Sequence, residues 1–477
     1  MHPSTLKSVP FIKDILKHGG ETYLVGGCVR DTLLDKKLKD LDLIVTKIPI
    51  DNLVALLKKH GPVNLVGKSF GIIKFRPFTD PDTEFDIALP RQETSTGTGH
   101  RDFHVDFDPN LPLEKDLYRR DFTINAMAEN IMTGEFIDPY DGRRDLTAKV
   151  IRTVFENSFV EDPLRLMRAV QFAARMDFII EAATFEQMQK HAELIRTVAR
   201  ERIAEEVRKL FTAPKPSVGF DIMRDSGLLA IVFPDVQNMI GVTQPQKNNE
   251  DVYTHTMKVL DAARAASELE KPGDLNIMFS ALFHDAGKPK TRREDPVTPQ
   301  AVSFHNHQII SRGIARRWLK DFKVTTIGVD PELVCHLVDS HMFETKEFHN
   351  EKALRRFIRK VGPDHIFDLL DLRLADKKGG RFPQKVFGIL KLRERIREEI
   401  NRKPPFTAKD LTLSGHDIIA LGFKPGPVIG VIQKFLLEKV LEQPELNTRD
   451  GLIQLIEQHR QIFEHVAQSN RKGLPHV

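Results

Sequence analysis

Up to about residue 150, short apolar stretches with a period of two alternate with stretches whose apolar residues recur every three or four positions. That alternation predicts an α/β domain. Thr22–Val25, Leu41–Val45, Gly71–Phe75 and Glu84–Leu89 read as strands. From about Asp162 to Phe211 the pattern turns helical. Ala169, Phe172, Ala173 and Met176 share one face, and Ile203, Val207 and Leu210 turn inward on Arg202–Leu210. Asn248–Ile400 is also helical and rich in histidine, and the polar, proline-bearing Asn401–Ala408 sets off a smaller helical tail. Gly97–Asp116, with Pro109 and Pro112, lacks periodicity and is expected to be a mobile loop. The expected boundaries are therefore 1–150 for an α/β head, 151–245 for a helical neck and body, 246–400 for a histidine-rich helical domain and 401–477 for the tail.

A chain of 477 residues is too long for one core, and its apolar fraction of 40% is that of an ordinary globular protein. Its two cysteines, Cys28 and Cys335, lie far apart, so a disulfide framework is not expected and a reducing cytoplasm is. Met1–Lys17 has no uninterrupted apolar run, and no stretch approaches the ~20 apolar residues that span a bilayer. The net charge of +4 permits nucleic-acid binding without requiring it.

Chemistry enters with Tyr23-Leu24-Val25, an apolar strand that runs into Gly26-Gly27 and then a helix-like Val29–Leu34. Glycines at such a turn let backbone amides approach a phosphate. A tight turn alone explains a lone glycine pair, but Asp40-Leu41-Asp42-Leu43-Ile44-Val45 follows. A period of two puts Asp40 and Asp42 on one face and Leu41 and Leu43 on the other. Carboxylates ~7 Å apart along a strand suit a pair of hard cations. Asp86 is the best candidate for a third carboxylate, with Glu84 as its rival. Asp162-Pro163 reads as a helix start, aspartate as N-cap and proline first in the helix, with Arg165 on the same side of the first turn.

Gly26-Gly27-Cys28-Val29-Arg30-Asp31-Thr32-Leu33-Leu34 followed by Asp40-Leu41-Asp42 resembles the signature of class II tRNA nucleotidyltransferases and bacterial poly(A) polymerases. Further motifs of that family recur in order: Arg119-Arg120-Asp121-Phe122-Thr123-Ile124-Asn125, Asp138-Pro139-Tyr140-Asp141-Gly142, Glu161-Asp162-Pro163-Leu164-Arg165 with Arg168, and Arg202-Ile203-Ala204-Glu205-Glu206. Asp35 and Asp141 stand where the family commonly has glycine. The resemblance implies a polymerase-β-like nucleotidyltransferase head with an all-α neck and body, and a two-ion Mg2+ site on Asp40 and Asp42 with Asp86 beside them. It implies nucleotide binding by Gly26, Gly27, Arg30, Asp31, Arg119, Arg120, Asp121, Asn125, Asp162, Arg165 and Arg168. In the family the Asp162–Arg165 pair would accept CTP and ATP, whose pairing edges set an amine beside an acceptor nitrogen, and reject UTP and GTP.

His255, His284-Asp285 and Asp376 follow in the order and spacing of the HD superfamily of metal-dependent phosphohydrolases, an all-α domain, with His307 and His341 at positions seen in binuclear members. Single histidines are rarely ligands; a set of imidazoles with carboxylates suits a transition metal or Mg2+. Lys377, Lys378, Arg381, Lys385, Lys391, Arg393 and Arg395 form a basic run that could face RNA or simply solvent.

The expectation is template-independent addition of CCA to the tRNA 3′ end from CTP and ATP, with an additional HD phosphohydrolase activity. The rivals are poly(A) or A-only addition, and an HD phosphohydrolase whose head merely binds RNA. Val63–Gly71 lacks the arginine run that resembling poly(A) polymerases carry there, and a flexible segment near Gly97–Asp116 accompanies the switch from CTP to ATP in CCA-adding relatives. Both favour CCA.

Overall fold

The computed structural model describes residues 3–36, 38, 41–66, 71–95, 103–244, 250–295, 302–380 and 382–469. Asp40, Arg381 and the segment 96–102 lie outside them. The chain divides into two compact units, 1–237 and 238–477.

The first unit is built on a seven-stranded mixed sheet. Its strands are β1 (Glu21–Val25), β2 (Leu41–Thr46), β3 (Val63–Val66), β4 (Ile72–Phe75), β5 (Phe85–Ala88), β8 (Ala128–Asn130) and β9 (Phe136–Ile137), in the order β3-β4-β5-β2-β1-β8-β9. The four strands expected from periodicity are all present. Only β2 and β5 run parallel; the other pairings are antiparallel. One face is closed by α1 (Pro10–Lys17), whose Phe11 meets Phe75 and Phe85 edge-on at 4.9 and 5.1 Å. On the opposite face Tyr23, Val25 and Ile44 pack with Leu113 and Leu117 of α4 (Leu113–Tyr118). Asp42 precedes Ile44 by two residues and so belongs to that second face. Between β1 and β2 runs α2 (Gly27–Leu33), and between β2 and β3 runs α3 (Ile50–Leu57).

Of the segment Gly97–Asp116, residues 97–102 lie outside the described residues, and the rest is not all the loop its composition suggested. Arg91–Ser95 (β6) and Phe103–Phe107 (β7) form an antiparallel hairpin, and Leu113–Asp116 already belongs to α4. The alternation Phe103-His104-Val105 and the helix start after Pro112 were local signals outweighed by glycine and proline content.

Behind the sheet, α5 (Leu164–Met176) packs against α6 (Arg200–Leu210) and α7 (Pro216–Asp225). Asp162 is extended, and its carboxylate accepts the Leu164 N–H at 3.2 Å, as an N-terminal cap should.

Among the described residues the second unit is helical apart from one short strand pair, Arg293–Glu294 with Val302–Ser303. Its centre is made by α8 (Val252–Ala265), α9 (Leu275–Phe283), α10 (His307–Asp321), α11 (Pro331–Ser340) and α12 (Ile366–Gly379). Asp251 and Asp274 cap α8 and α9 by accepting from first-turn amides. Helix α12 ends against α8 so closely that a Cβ on Gly379 would lie 2.6 Å from the Val259 side chain, which demands glycine. Part of the basic run after Asp376 is engaged within the protein, while Lys385 and Lys391 are exposed. Arg393 is buried on Asp371, Arg395 donates to the Phe348 carbonyl, and Lys378 pairs with Glu268.

Candidate functional site

In the first unit the parallel register of β2 and β5 sets Asp42 directly beside Asp86, and the next strand sets Lys74 opposite Asp86. Lys74 Nζ bridges Asp86 (3.0 Å) and Glu84 (2.8 Å), so both candidates for a third carboxylate sit in one cluster. A cation between Asp42 and Asp86 would take over the neutralising part that Lys74 plays for Asp86. The Asp42 N–H donates to the Cys28 thiol at 3.2 Å, tying this carboxylate to the residue after the glycine turn. Gly26 has φ +65°, and a Cβ there would strike Arg120 Nη1 at 2.4 Å. The backbone therefore favours glycine here, and a Cβ would also displace the Arg120 guanidinium that packs behind the turn.

From that turn a chain of charge-assisted hydrogen bonds runs through the expected nucleotide residues. Arg30 donates to Asp31 at 2.8 Å and to Asn125 Oδ1 at 2.6 Å. Asn125 Nδ2 and the Phe122 N–H both donate to Asp121 Oδ1, and Arg168 holds Asp121 Oδ2 at 2.6 Å. Burial alone would raise the Asp121 carboxyl, but the Arg168 charge together with the hydrogen bonds from Asn125, Arg168 and the Phe122 N–H holds Asp121 below the usual carboxylate range. Arg30 and Arg168 both lie over the Phe172 ring, at 5.3 Å. Arg119 and Arg120 share the carboxylate of Asp116, which is completely buried.

The base-selecting pair is arranged differently from its expected side-by-side presentation. Arg165 is buried; it donates to Ser158 Oγ at 2.9 Å, to Glu161 and to the Arg119 carbonyl. Asp162 instead stands 3.7 Å from Arg202. A backbone hydrogen bond from the Arg165 N–H to the Asp162 carbonyl (3.0 Å) closes the first turn, but among the described residues no side-chain hydrogen bond or ion pair joins the two, because that turn aims the Arg165 side chain back at Ser158 and Glu161.

The second unit gathers all six histidine and aspartate candidates. His255, His284 and Asp285 form one buried trio of potential ligands, and Asp285, His307 and His341 form another. Asp285 is common to both: His284 Nε2 and His255 Nε2 lie 3.3 and 3.8 Å from its Oδ2, while His307 Nε2 and His341 Nε2 lie 3.2 and 3.9 Å from its Oδ1. Asp376 closes the first trio, 3.0 Å from His255 Nε2. Each imidazole is oriented from behind. The Nδ1 atoms of His255, His284, His307 and His341 lie 3.2, 2.8, 2.8 and 2.7 Å from the carbonyls of Gly379, Ala281, Phe304 and Val338. Donation there fixes the proton on Nδ1 and leaves Nε2 a bare donor to a metal. His284 Nε2 is buried without a hydrogen-bond partner. Burial pushes His341 down to about 3, favouring its neutral, ligating form. Burial would raise Asp285, but Lys288 and the histidines around it hold it well below its usual range. This donor set fits divalent metal.

Two cations that sequence reading passed over flank the ligands. Lys288 Nζ lies 2.6 Å from both Asp285 Oδ2 and Gln244 Oε1, and Arg373 lies 2.6 Å from Asp376. Each sits three residues from its partner on a helical turn, a spacing visible in the sequence. Both cations line a cavity of about 600 Å3 that opens onto Asp285, His307, His341 and Asp376, with Phe304 and Phe382 on its walls.

Family models match both units: the Poly A polymerase head domain over residues 22–152, the probable RNA and SrmB-binding site of polymerase A over 177–240, and the HD domain over 252–377. The chain is 39% identical over 428 residues to the multifunctional CCA protein of Nitrosococcus oceani, covering 89% of this chain and 96% of the relative. It is 34% identical over 373 residues to the multifunctional CCA protein of Actinobacillus pleuropneumoniae, covering 75% and 85%. Among solved structures, the Bacillus stearothermophilus CCA-adding enzyme in complex with CTP aligns over 98% of this chain and 100% of its own, with a TM-score of 0.68 at 22% identity. The Thermotoga maritima CCA-adding enzyme complexed with tRNA aligns over 94% and 93%, with a TM-score of 0.56 at 22% identity. These structures share the fold.

Proposed function

The chain belongs to the multifunctional CCA protein family, and from that premise we propose how its own residues carry out the family's reaction. It is a tRNA nucleotidyltransferase that adds CCA to the 3′ end of tRNA from CTP and ATP. The observation that carries the site assignment is the register of Asp42 with Asp86 beside the Gly26 turn and the Arg30–Asn125–Asp121–Arg168 network.

The head, residues 1–150, holds the reacting groups. Asp42 with Asp40 and Asp86 would bind divalent cations, and magnesium suits their hard oxygen donors. Such a pair, when bound, lowers the pKa of the RNA 3′-hydroxyl and stabilises the departing pyrophosphate. The amides after Gly26 and Gly27 and the guanidinium groups of Arg119 and Arg120 receive the triphosphate. Asp121 and Asn125 meet the ribose hydroxyls, held in place by Arg168 and by Arg30, whose other partner is Asp31.

Base choice falls to the neck and body, residues 151–245. Arg165 is anchored by Ser158, Glu161 and the Arg119 carbonyl, so it presents a donor from a fixed position. Asp162, facing Arg202 at the longer distance of 3.7 Å, keeps an oxygen that can accept from an exocyclic amine. Uracil and guanine would set a carbonyl against that oxygen.

The second unit, with the HD domain at 246–400 and the tail at 401–477, carries a separate phosphohydrolase centre. Four neutral imidazoles and two carboxylates favour a divalent transition metal over magnesium. Lys288 and Arg373 would neutralise the phosphate of a nucleotide or cyclic-phosphate substrate in the adjoining cavity. The free thiols of Cys28 and Cys335 suit a reducing cytoplasm, and no helix among the described residues is long and apolar enough to cross a membrane.

The assignment is tested by Asp42→Asn. With a tRNA transcript lacking its last three nucleotides, CTP, ATP and saturating magnesium, the variant should melt like the parent and add nothing. Substantial residual extension would remove Asp42 from the reaction.

A further inference from the structure

Asp116 is completely buried and lies at the end of α4, directly before the expected triphosphate arginines. Its Oδ1 accepts from both Nε and Nη2 of Arg119, at 3.0 and 2.8 Å, and its Oδ2 lies 3.5 Å from Arg120 Nη2. The backbone amide of Arg91, the first residue of the β6–β7 hairpin, also donates to this carboxylate. Both arginines continue outward from the anchor. The Arg119 carbonyl accepts from Arg165 Nη2, and Arg120 Nη1 fills the space behind Gly26. One buried group therefore touches, directly or through a single residue, the hairpin, the glycine turn and the base-selecting arginine.

We propose that Asp116 is a positioning residue for nucleotide recognition: it fixes Arg119 and Arg120 for the triphosphate and, through Arg119, holds Arg165 where it reads the base. The inference rests on the nucleotidyl-transfer reading above. A buried carboxylate is costly to keep unless its partners are well placed, and replacing a purely structural pair by neutral groups is often harmless. Here the partners are long side chains about one-fifth exposed, 23% for Arg119 and 21% for Arg120. Without the anchor they would have to be ordered by the nucleotide itself, which weakens binding rather than the chemical step.

The test is Asp116→Asn in the full chain, assayed on tRNA lacking CCA. KM for CTP and ATP should rise about tenfold, the loss of one charge-assisted contact, while kcat changes far less. Discrimination against UTP should fall with it. A scaffold role would lower the melting temperature and slow every nucleotide alike, with KM and discrimination unchanged, and that result overturns the proposal. Should Asp116→Asn fail to fold, Arg119→Lys leaves Asp116 paired but removes the two-toothed grip; it should show the same rise in KM, and an unchanged KM overturns the proposal. The parent protein in the same assay separates the two readings. Normal CCA addition by the parent with no KM effect in either variant sinks Asp116 alone, whereas a parent that adds no nucleotide sinks nucleotidyl transfer and this inference with it.

Discussion

Arg165 shows what a single side chain can and cannot declare in sequence. Its place three residues after Asp162 marked it for base reading, yet its hydrogen bonds go to Ser158, Glu161 and the Arg119 carbonyl. Spacing along a helix fixes which residues share a side, while rotamers and the turn before the helix decide what each one meets. Arg165→Ala should therefore blur base choice more than it slows catalysis. The loss of a fixed donor is worth on the order of 1–3 kcal/mol of discrimination, so kcat/KM for UTP and GTP should rise relative to CTP and ATP. An unchanged ratio across the four nucleotides would mean that the base is read elsewhere. The histidines were more legible. His255, His284, Asp285, His307, His341 and Asp376 all converge, because imidazoles and carboxylates in this spacing have few other reasons to occur together. Lys288, Arg373 and Asp116 were passed over although each lies three or four residues from its partner. Such pairs are common on solvated helices, and burial, which sequence does not display, is what sets these apart.

The strands of the head were legible because β-branched and aromatic residues alternate in short runs bounded by turns. Their register was not, and the register is what brings Asp42 to Asp86. The element most misjudged is the hairpin β6–β7, hidden because the sequence between its strands is rich in glycine and polar residues. Its first amide reaches Asp116, so the hairpin is joined to the arginines that lead to the base site. If Asp162 and Arg165 read the base as proposed, they must read two bases of different size, and a hairpin joined to the support of Arg165 could set its position. Removing Thr98–Arg101 leaves the paired residues Arg91–Ser95 and Phe103–Phe107 in place. CC addition should persist and the terminal A should be lost, read as product length on a sequencing gel. Complete CCA synthesis by the deletion would separate the hairpin from base switching.

At the scale of the whole molecule, the two candidate sites fall in two compact units, 1–237 and 238–477. Each constellation was legible in sequence because it is confined to a continuous stretch of chain. Asp285 bridges the two ligand trios of the second unit, so Asp285→Ala should abolish release of phosphate from nucleotides or opening of 2′,3′-cyclic phosphates in the presence of divalent metal. It should spare CTP incorporation, and a variant that kept its melting temperature yet stopped incorporating CTP would contradict separate sites. The central claim, CCA addition rather than open-ended adenylation, is tested most directly by product length. With the parent protein, a tRNA lacking its last three nucleotides and each nucleotide alone or mixed, CTP alone should add the two cytidines, CTP with ATP should add one adenosine more and stop, and UTP or GTP should add nothing. Long adenosine tails on tRNA or on unstructured RNA would contradict the account.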